Sequence, residues 1–99
     1  MSGRLVLASP WCREAIPPAE RPAIEARIRD GYTVALTSLS SRQGYRTDIA
    51  YTAGPRAESL IDRWEWPPKL HAMDAIDRAV KWIDEYDAAI FAGVEVPVR

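Results

Sequence analysis

Cys12 and His71 are the two residues whose types could form a nucleophile with its general base, and the chain holds one cysteine and one histidine. A thiol beside an imidazole is the pair that activates a cysteine nucleophile. No signature flanks either residue, and the serine-rich stretch "SLSSRQG" (38–44) has the chemistry of a turn rather than of a nucleophile elbow. We therefore predict that Cys12 is a partly buried structural residue and that His71 stands at the start of a helix.

A metal site would need side-chain ligands that converge on one point. The candidate ligands are Asp74, Asp77, Asp84 and Asp87. A helix turns by about 100° per residue, so Asp74 and Asp84 point too far apart to hold one ion. His71 and Asp74 lie three positions apart and would still need a third ligand from another part of the chain. We expect a solvated acidic face, offset by Arg78 and Lys81, with no metal and no cofactor.

The glycines offer no phosphate-binding loop, because they are scattered and form neither GxGxxG nor GxxxxGK. The net charge of −1 gives the chain no overall field that attracts nucleic acid. Lysine occurs at two positions, so nearly all basic residues are arginine, whose planar donors suit carboxylate and phosphate groups. These patterns indicate a chain that binds a partner and does not catalyse a reaction.

Two of the four tryptophans stand in "RWEWPP" (63–68), directly before a double proline. We assign Trp64 to the core. We expect Trp66 to be exposed, because the prolines place it at a chain reversal, and an exposed tryptophan is a natural anchor of a protein interface. Together with the outward face of a hairpin, Arg42, Arg46 and Arg63 would frame Trp66 and offer forked donors to carboxylates on a partner.

Residues 31–54 carry the clearest structural element, because apolar and polar side chains alternate along both halves of the stretch. Alternation with period two, in β-branched and aromatic residues, is typical of strands. Gly44 can supply the positive φ that the intervening turn "SSRQG" needs. We predict a β-hairpin with one apolar and one polar face, and a lone hairpin is marginal in water unless another element covers its apolar face.

The covering element is predicted to be a helix over 71–93, ended by Gly93. Its apolar stripe at helical spacing consists of Met73, Ile76, Val80, Ile83 and Ile90. Trp82 lies beside this stripe. We expect its ring to be half buried and its N–H group to reach a hydrogen-bond partner.

The remaining segments are assigned from local signals. A short helix is predicted at about 20–30, a loop at 9–18 because prolines interrupt it, and an edge strand or an ordered tail at 4–8. Residues 94–98 alternate and could form a final edge strand. Residues 55–66 fit both a helix and a strand, and we favour the helix because the propensities of "RAESLIDRW" favour it.

These elements predict an α+β fold in one domain spanning residues 1–99, with an antiparallel β-hairpin or meander packed against a long C-terminal helix. No apolar run approaches the roughly 18 residues of a membrane span. The apolar stretch near the N-terminus is too short for a signal peptide, so we expect a cytoplasmic protein. The single cysteine excludes an internal disulfide.

The function predicted from these features is that of a small non-enzymatic binding or regulatory protein acting on a macromolecular partner, most simply a protein. In size and in its lack of catalytic motifs it is similar in kind to compact inhibitors encoded by phages and mobile elements, anti-CRISPR proteins among them, although no residue motif carries that similarity. A nucleic-acid-binding module that uses the hairpin arginines is the first alternative. A small enzyme or enzyme subunit is the second.

Overall fold

The computed structural model describes residues 3–39, 44–51, 59–66 and 71–93 of the chain. The elements in chain order are β1 (Arg4–Leu7), α1 (Pro10–Ala15), a 3-10 turn (Pro18–Glu20), α2 (Arg21–Arg27), β2 (Tyr32–Ser38), β3 (Tyr45–Tyr51), β4 (Ser59–Trp66) and α3 (Ala72–Ala92). The predicted α+β class is confirmed, because these strands form one sheet that packs against the C-terminal helix α3.

The sheet has the strand order β1-β2-β3-β4. Strand β1 pairs with β2 in parallel, and the other two neighbouring pairs are antiparallel. A parallel pair requires a crossover connection, and α1 with α2 provides it between β1 and β2. The predicted antiparallel meander is confirmed and consists of β2, β3 and β4. The predicted edge strand at residues 4–8 is also confirmed, since β1 lies at one end of the strand order.

One side of the sheet, which we call the core face, carries the apolar side chains predicted for the hairpin. Val34 and Ile49 are paired across β2 and β3 and are buried. Helix α3 covers them with Ile76 and Ile83, which are also buried. Ile90 departs from the predicted stripe, because its side chain is 55% exposed near the end of the helix.

The loop predicted at 9–18 is wrong in its first half, where the chain forms helix α1. Pro10 does not break this helix, because proline fits the first turn, where the backbone N–H has no helical partner. The helix buries Cys12 on its inner side, and Ile16 closes its end as a fully buried residue. The prolines therefore delimit α1 instead of preventing it.

The helix favoured for residues 55–66 is also wrong, since residues 59–66 form strand β4. The strand pairs with β3 over its whole length, with one register shift between Ile49 and Ala50. Helix propensity is a weak local preference, and pairing with a neighbouring strand overrides it here. The strand predicted at 94–98 lies outside the described residues.

Candidate functional site: the open face of the sheet

The second side of the sheet, which we call the open face, is covered by none of the described helices. Side chains of α1, α2 and α3 join one buried cluster with the core face. Because side chains alternate along a strand, the register assigns the opposite side chains to the open face. They are Arg4, Val6, Thr33, Ala35, Thr37, Arg46, Asp48, Ala50, Arg63 and Glu65.

The open face is uncharged along β2 and charged along β3 and β4. On β2 the outward side chains are those of Thr33, Ala35 and Thr37, all small and uncharged. On β3 and β4 they are charged, and the cross-strand pairs are Arg46 with Glu65 and Asp48 with Arg63. Opposite charges that face each other across strands stabilise the pairing, so the four charges alternate in sign over the surface.

Asp48 joins the two arginines of the predicted site that the structure describes. Nε of Arg63 donates a hydrogen bond of 2.7 Å to Oδ1 of Asp48, and Nε of Arg46 lies 3.5 Å from Oδ2. Arg46 and Arg63 thus lie side by side around one carboxylate, whereas the sequence analysis expected them to frame Trp66. Arg42 lies outside the described residues.

Trp66 is not part of this surface, and the expectation that it is exposed is wrong. Its side chain is 8% exposed on the core face, and its Nε1–H donates a 2.8 Å hydrogen bond to Oγ1 of Thr47. The guanidinium of Arg78 lies over its ring. The physical reason is the strand, since residues two apart on a strand share one face, and Trp64 therefore packs beside Trp66 with 4.8 Å between ring centroids.

The two tryptophans begin a row of aromatic contacts that ties β4, α3, β2 and β3 together. The rings in order are those of Trp66, Trp64, Trp82, Tyr86, Tyr32 and Tyr51, with neighbouring centroids 4.8 to 6.5 Å apart. Trp82 is 7% exposed, more buried than expected. Its Nε1–H finds no acceptor in the described part of the chain, contrary to the sequence prediction. The aromatic residues therefore serve packing.

Tyr32 adds a polar contact between the sheet and α3. Its hydroxyl donates a 3.0 Å hydrogen bond to Oδ1 of Asp87. Burial of the phenol, the hydrogen bond and the negative charge of Asp87 raise the pKa of Tyr32 above its usual value. Arg29 lies 3.4 Å from the other carboxylate oxygen of Asp87, so this carboxylate links α3 to the chain on both sides of Gly31.

Cys12 and His71 occupy structural positions. The Cys12 thiol is buried, and the hydroxyl of Ser9 donates a hydrogen bond to its sulfur at 3.2 Å while lying 2.8 Å from the hydroxyl of Ser38. His71 is exposed at the N-cap of α3, as predicted. Over the described ranges, no group of three His, Cys, Asp or Glu side chains is arranged to hold a metal ion.

Trp11 is the exposed tryptophan that the sequence analysis missed. Its side chain is 69% exposed on α1. The sequence contains the signal, because Pro10 starts a helix in which Cys12 points inward, and the neighbouring Trp11 is then directed away from the core. A helix over residues 10–15 with Cys12 on its inner side therefore predicts that Trp11 is exposed.

Comparison with known proteins supplies no family for this arrangement. No protein-family model matches the chain, and neither a curated protein nor a solved structure matches it. None of the described helices is long and apolar enough to cross a membrane.

Proposed function

We propose that the chain is a non-enzymatic binding protein whose open face contacts a carboxylate-bearing surface of a partner protein. The observation that carries the proposal is the sharing of Asp48 by Arg46 and Arg63 on a sheet face that no described helix covers. A guanidinium has five N–H donors in a fixed plane. Arg63 uses its Nε–H for a hydrogen bond to Asp48, whereas Nε of Arg46 lies at ion-pair distance from Asp48 without a hydrogen bond.

Asp48 orients the guanidinium of Arg63 through a hydrogen bond and attracts that of Arg46 at ion-pair distance. Its side chain is 18% exposed, against 32% for Arg46 and 53% for Arg63, so the carboxylate lies lower on the surface than the two cations. Side chains that are already ordered lose less entropy on binding. The arrangement therefore supports recognition of an acidic protein surface.

The mixed charge of the open face favours a protein over a nucleic acid. A surface that binds a phosphate backbone typically carries clustered basic side chains. Here Asp48 and Glu65 stand between and beside the arginines, and the chain as a whole carries a net charge of −1. A phosphate backbone laid across β3 and β4 would meet both carboxylates.

The chain would act as a regulatory or inhibitory protein in the cytoplasm, and its effect would come from occupying the partner's surface. The buried thiol of Cys12 supports a role without catalysis, since a thiolate must be accessible to act as a nucleophile.

The proposal is tested by comparative capture with three forms of the tagged chain. They are the wild type, the double variant Arg46→Gln/Arg63→Gln and the control Arg27→Gln, each incubated with nuclease-treated lysate of the native host. Arg27 is a matched control, because it forms an ion pair with Asp77 on the helical side and its side chain is 49% exposed, close to that of Arg63. We expect one protein to be retained by the wild type and the control and lost with the double variant.

A partner retained equally by all three forms would contradict a role for the open face. A separate titration with duplex DNA or RNA of about 20 base pairs tests the nucleic-acid alternative, since affinity that falls steeply between about 50 and 200 mM salt is the mark of phosphate contacts. Such binding, lost in the double variant, would replace the protein partner with a nucleic acid.

A further inference from the structure

Strand β1 lies at one end of the strand order, so its outer side is an edge of the sheet. The N–H group of Ala8 donates a 2.9 Å hydrogen bond to the carbonyl oxygen of Leu36 on β2. Because backbone groups alternate in direction along a strand, Gly3, Leu5 and Leu7 direct theirs to the outer side. Such a row of backbone donors and acceptors is a template to which a strand of another chain can add.

Two charged side chains of the crossover occupy this edge. The N–H group of Leu5 donates a 2.9 Å hydrogen bond to Oε2 of Glu25, which projects from α2. Nη1 of Arg13 on α1 donates a hydrogen bond to the carbonyl oxygen of Leu7 at 3.2 Å. One negative and one positive side chain thus engage a donor and an acceptor that an added strand would need.

The chain that follows α2 covers the beginning of the same edge. The N–H group of Gly3 donates a 2.8 Å hydrogen bond to the carbonyl oxygen of Ile28. A Cβ atom on Gly3 would overlap Cγ2 of Ile28 and would lie 2.6 Å from the carbonyl oxygen of Tyr32. Position 3 therefore requires glycine, because only a residue without Cβ lets the two backbone segments approach this closely.

We propose that Glu25 and Arg13 form a lock that closes the outer edge of β1 to strand addition by another chain. Proteins protect the edges of their sheets with charged side chains and with covering helices or loops. A hydrogen bond to a carboxylate is roughly twice as strong as one between neutral groups. An incoming strand, whose carbonyl oxygens are neutral acceptors, would therefore exchange the bond between Leu5 and Glu25 for a weaker one.

The lock allows the chain to present one face of its sheet to a partner without presenting this edge. Its residues lie on α1, α2 and β1, whereas the arginines of the open face lie on β3 and β4. The inference therefore stands or falls separately from the proposed function. Removal of both charged side chains should free the backbone groups of Leu5 and Leu7, so that two copies pair through their β1 strands.

The test compares the wild type with Arg13→Ala/Glu25→Ala by hydrogen exchange and by sedimentation velocity over a range of concentrations. We expect the Leu5 amide to exchange at least about tenfold faster in the double variant, because its hydrogen bond is lost. The mass of the double variant should rise with concentration above that of the wild type, from 11.1 kDa for one chain. Glu14→Ala/Arg27→Ala removes the same residue types from exposed positions of α1 and α2 and is the matched control.

Circular dichroism checks that each variant is folded. If the double variant does not fold, Glu25→Ala alone gives the same comparison at Leu5. A folded variant whose Leu5 amide exchanges at the wild-type rate would overturn the proposal, as would one that exposes this amide and yet sediments like the wild type. Equal self-association of the control would also overturn it, because the cause would then be the loss of surface charge and not the opening of the edge.

Discussion

Nε1–H of Trp66 donates a 2.8 Å hydrogen bond to Oγ1 of Thr47, and both residues are buried where β4 meets β3. Thr47→Val keeps the shape of the side chain and removes the acceptor, so the indole N–H loses its partner inside the core. An unsatisfied buried donor costs about 1–3 kcal/mol. We expect Thr47→Val to lower the free energy of unfolding by that amount, measured by urea denaturation. Thr47→Ser retains the hydroxyl and loses only a buried methyl group, which costs about 1 kcal/mol. A Thr47→Val variant as stable as the wild type would show that the hydrogen bond contributes nothing.

Trp66 should behave as a core residue when truncated. Trp66→Ala should cost about 3–5 kcal/mol of stability, because truncating a buried aromatic side chain leaves a cavity. Ile90→Ala, at an exposed position of α3, should change stability by no more than about 0.5 kcal/mol. Thermal and urea melts of both variants give the comparison. A Trp66→Ala variant as stable as the wild type would show that Trp66 is not part of the core.

Trp64 and Trp66 also show how far the sequence predicts the fold. The alternation in residues 31–54 and the apolar stripe of 71–93 are long and regular, so the hairpin and its covering helix were predicted. Strand β4 is only the less favoured interpretation of residues 55–66, because its pairing with β3 is a tertiary interaction that the local propensities do not contain. The expectation of an exposed Trp66 is wrong because the strand directs Trp66 to the core face beside Trp64.

The sequence predicts only part of the candidate site, because one of its contacts also depends on how two strands pair. Arg46 lies in the regular hairpin, and its outward direction follows from the alternation alone. The contact of Arg63 with Asp48 depends on the register between β3 and β4, which no local pattern specifies. The exposure of Trp11 does not follow from the sequence analysis, because the prolines at positions 10, 17 and 18 favour a loop over residues 9–18.

Tyr32 should make the stability sensitive to alkaline pH. The pKa of Tyr32 is raised in the folded chain, so the unfolded chain releases the phenol proton first, near the ordinary pKa of about 10. The stabilisation that Tyr32 gives the folded chain is therefore fully present below about pH 10. It is lost as the pH rises from there towards the pKa of Tyr32 in the folded chain. Tyr32→Phe should be less stable than the wild type by about 0.5–1.5 kcal/mol at neutral pH, since it lacks the hydrogen bond to Asp87.

The measurement is the difference in unfolding free energy between wild type and Tyr32→Phe at a series of pH values. The difference should shrink above about pH 10, because only the wild type has a phenol to ionise at this position. A difference that stays constant into alkaline solution would contradict the role assigned to burial and Asp87.

Cys12 should react with thiol reagents only when the chain unfolds. Its sulfur is buried against the Ser9 hydroxyl, and a thiol must be accessible to react. Ellman's reagent should label the folded protein very slowly and the denatured protein at once, with one thiol per chain. Rapid labelling of the folded chain would show an accessible thiol and would revive a nucleophilic role.

The central claim is that Arg46 and Arg63 on the open face bind a partner protein. Its most direct test is a calorimetric titration of the captured partner with the wild type, the double variant Arg46→Gln/Arg63→Gln and the control Arg27→Gln. We predict that the double variant binds at least about tenfold more weakly, whereas the control stays within about twofold of the wild type. Equal affinity of the wild type and a folded double variant would contradict the claim.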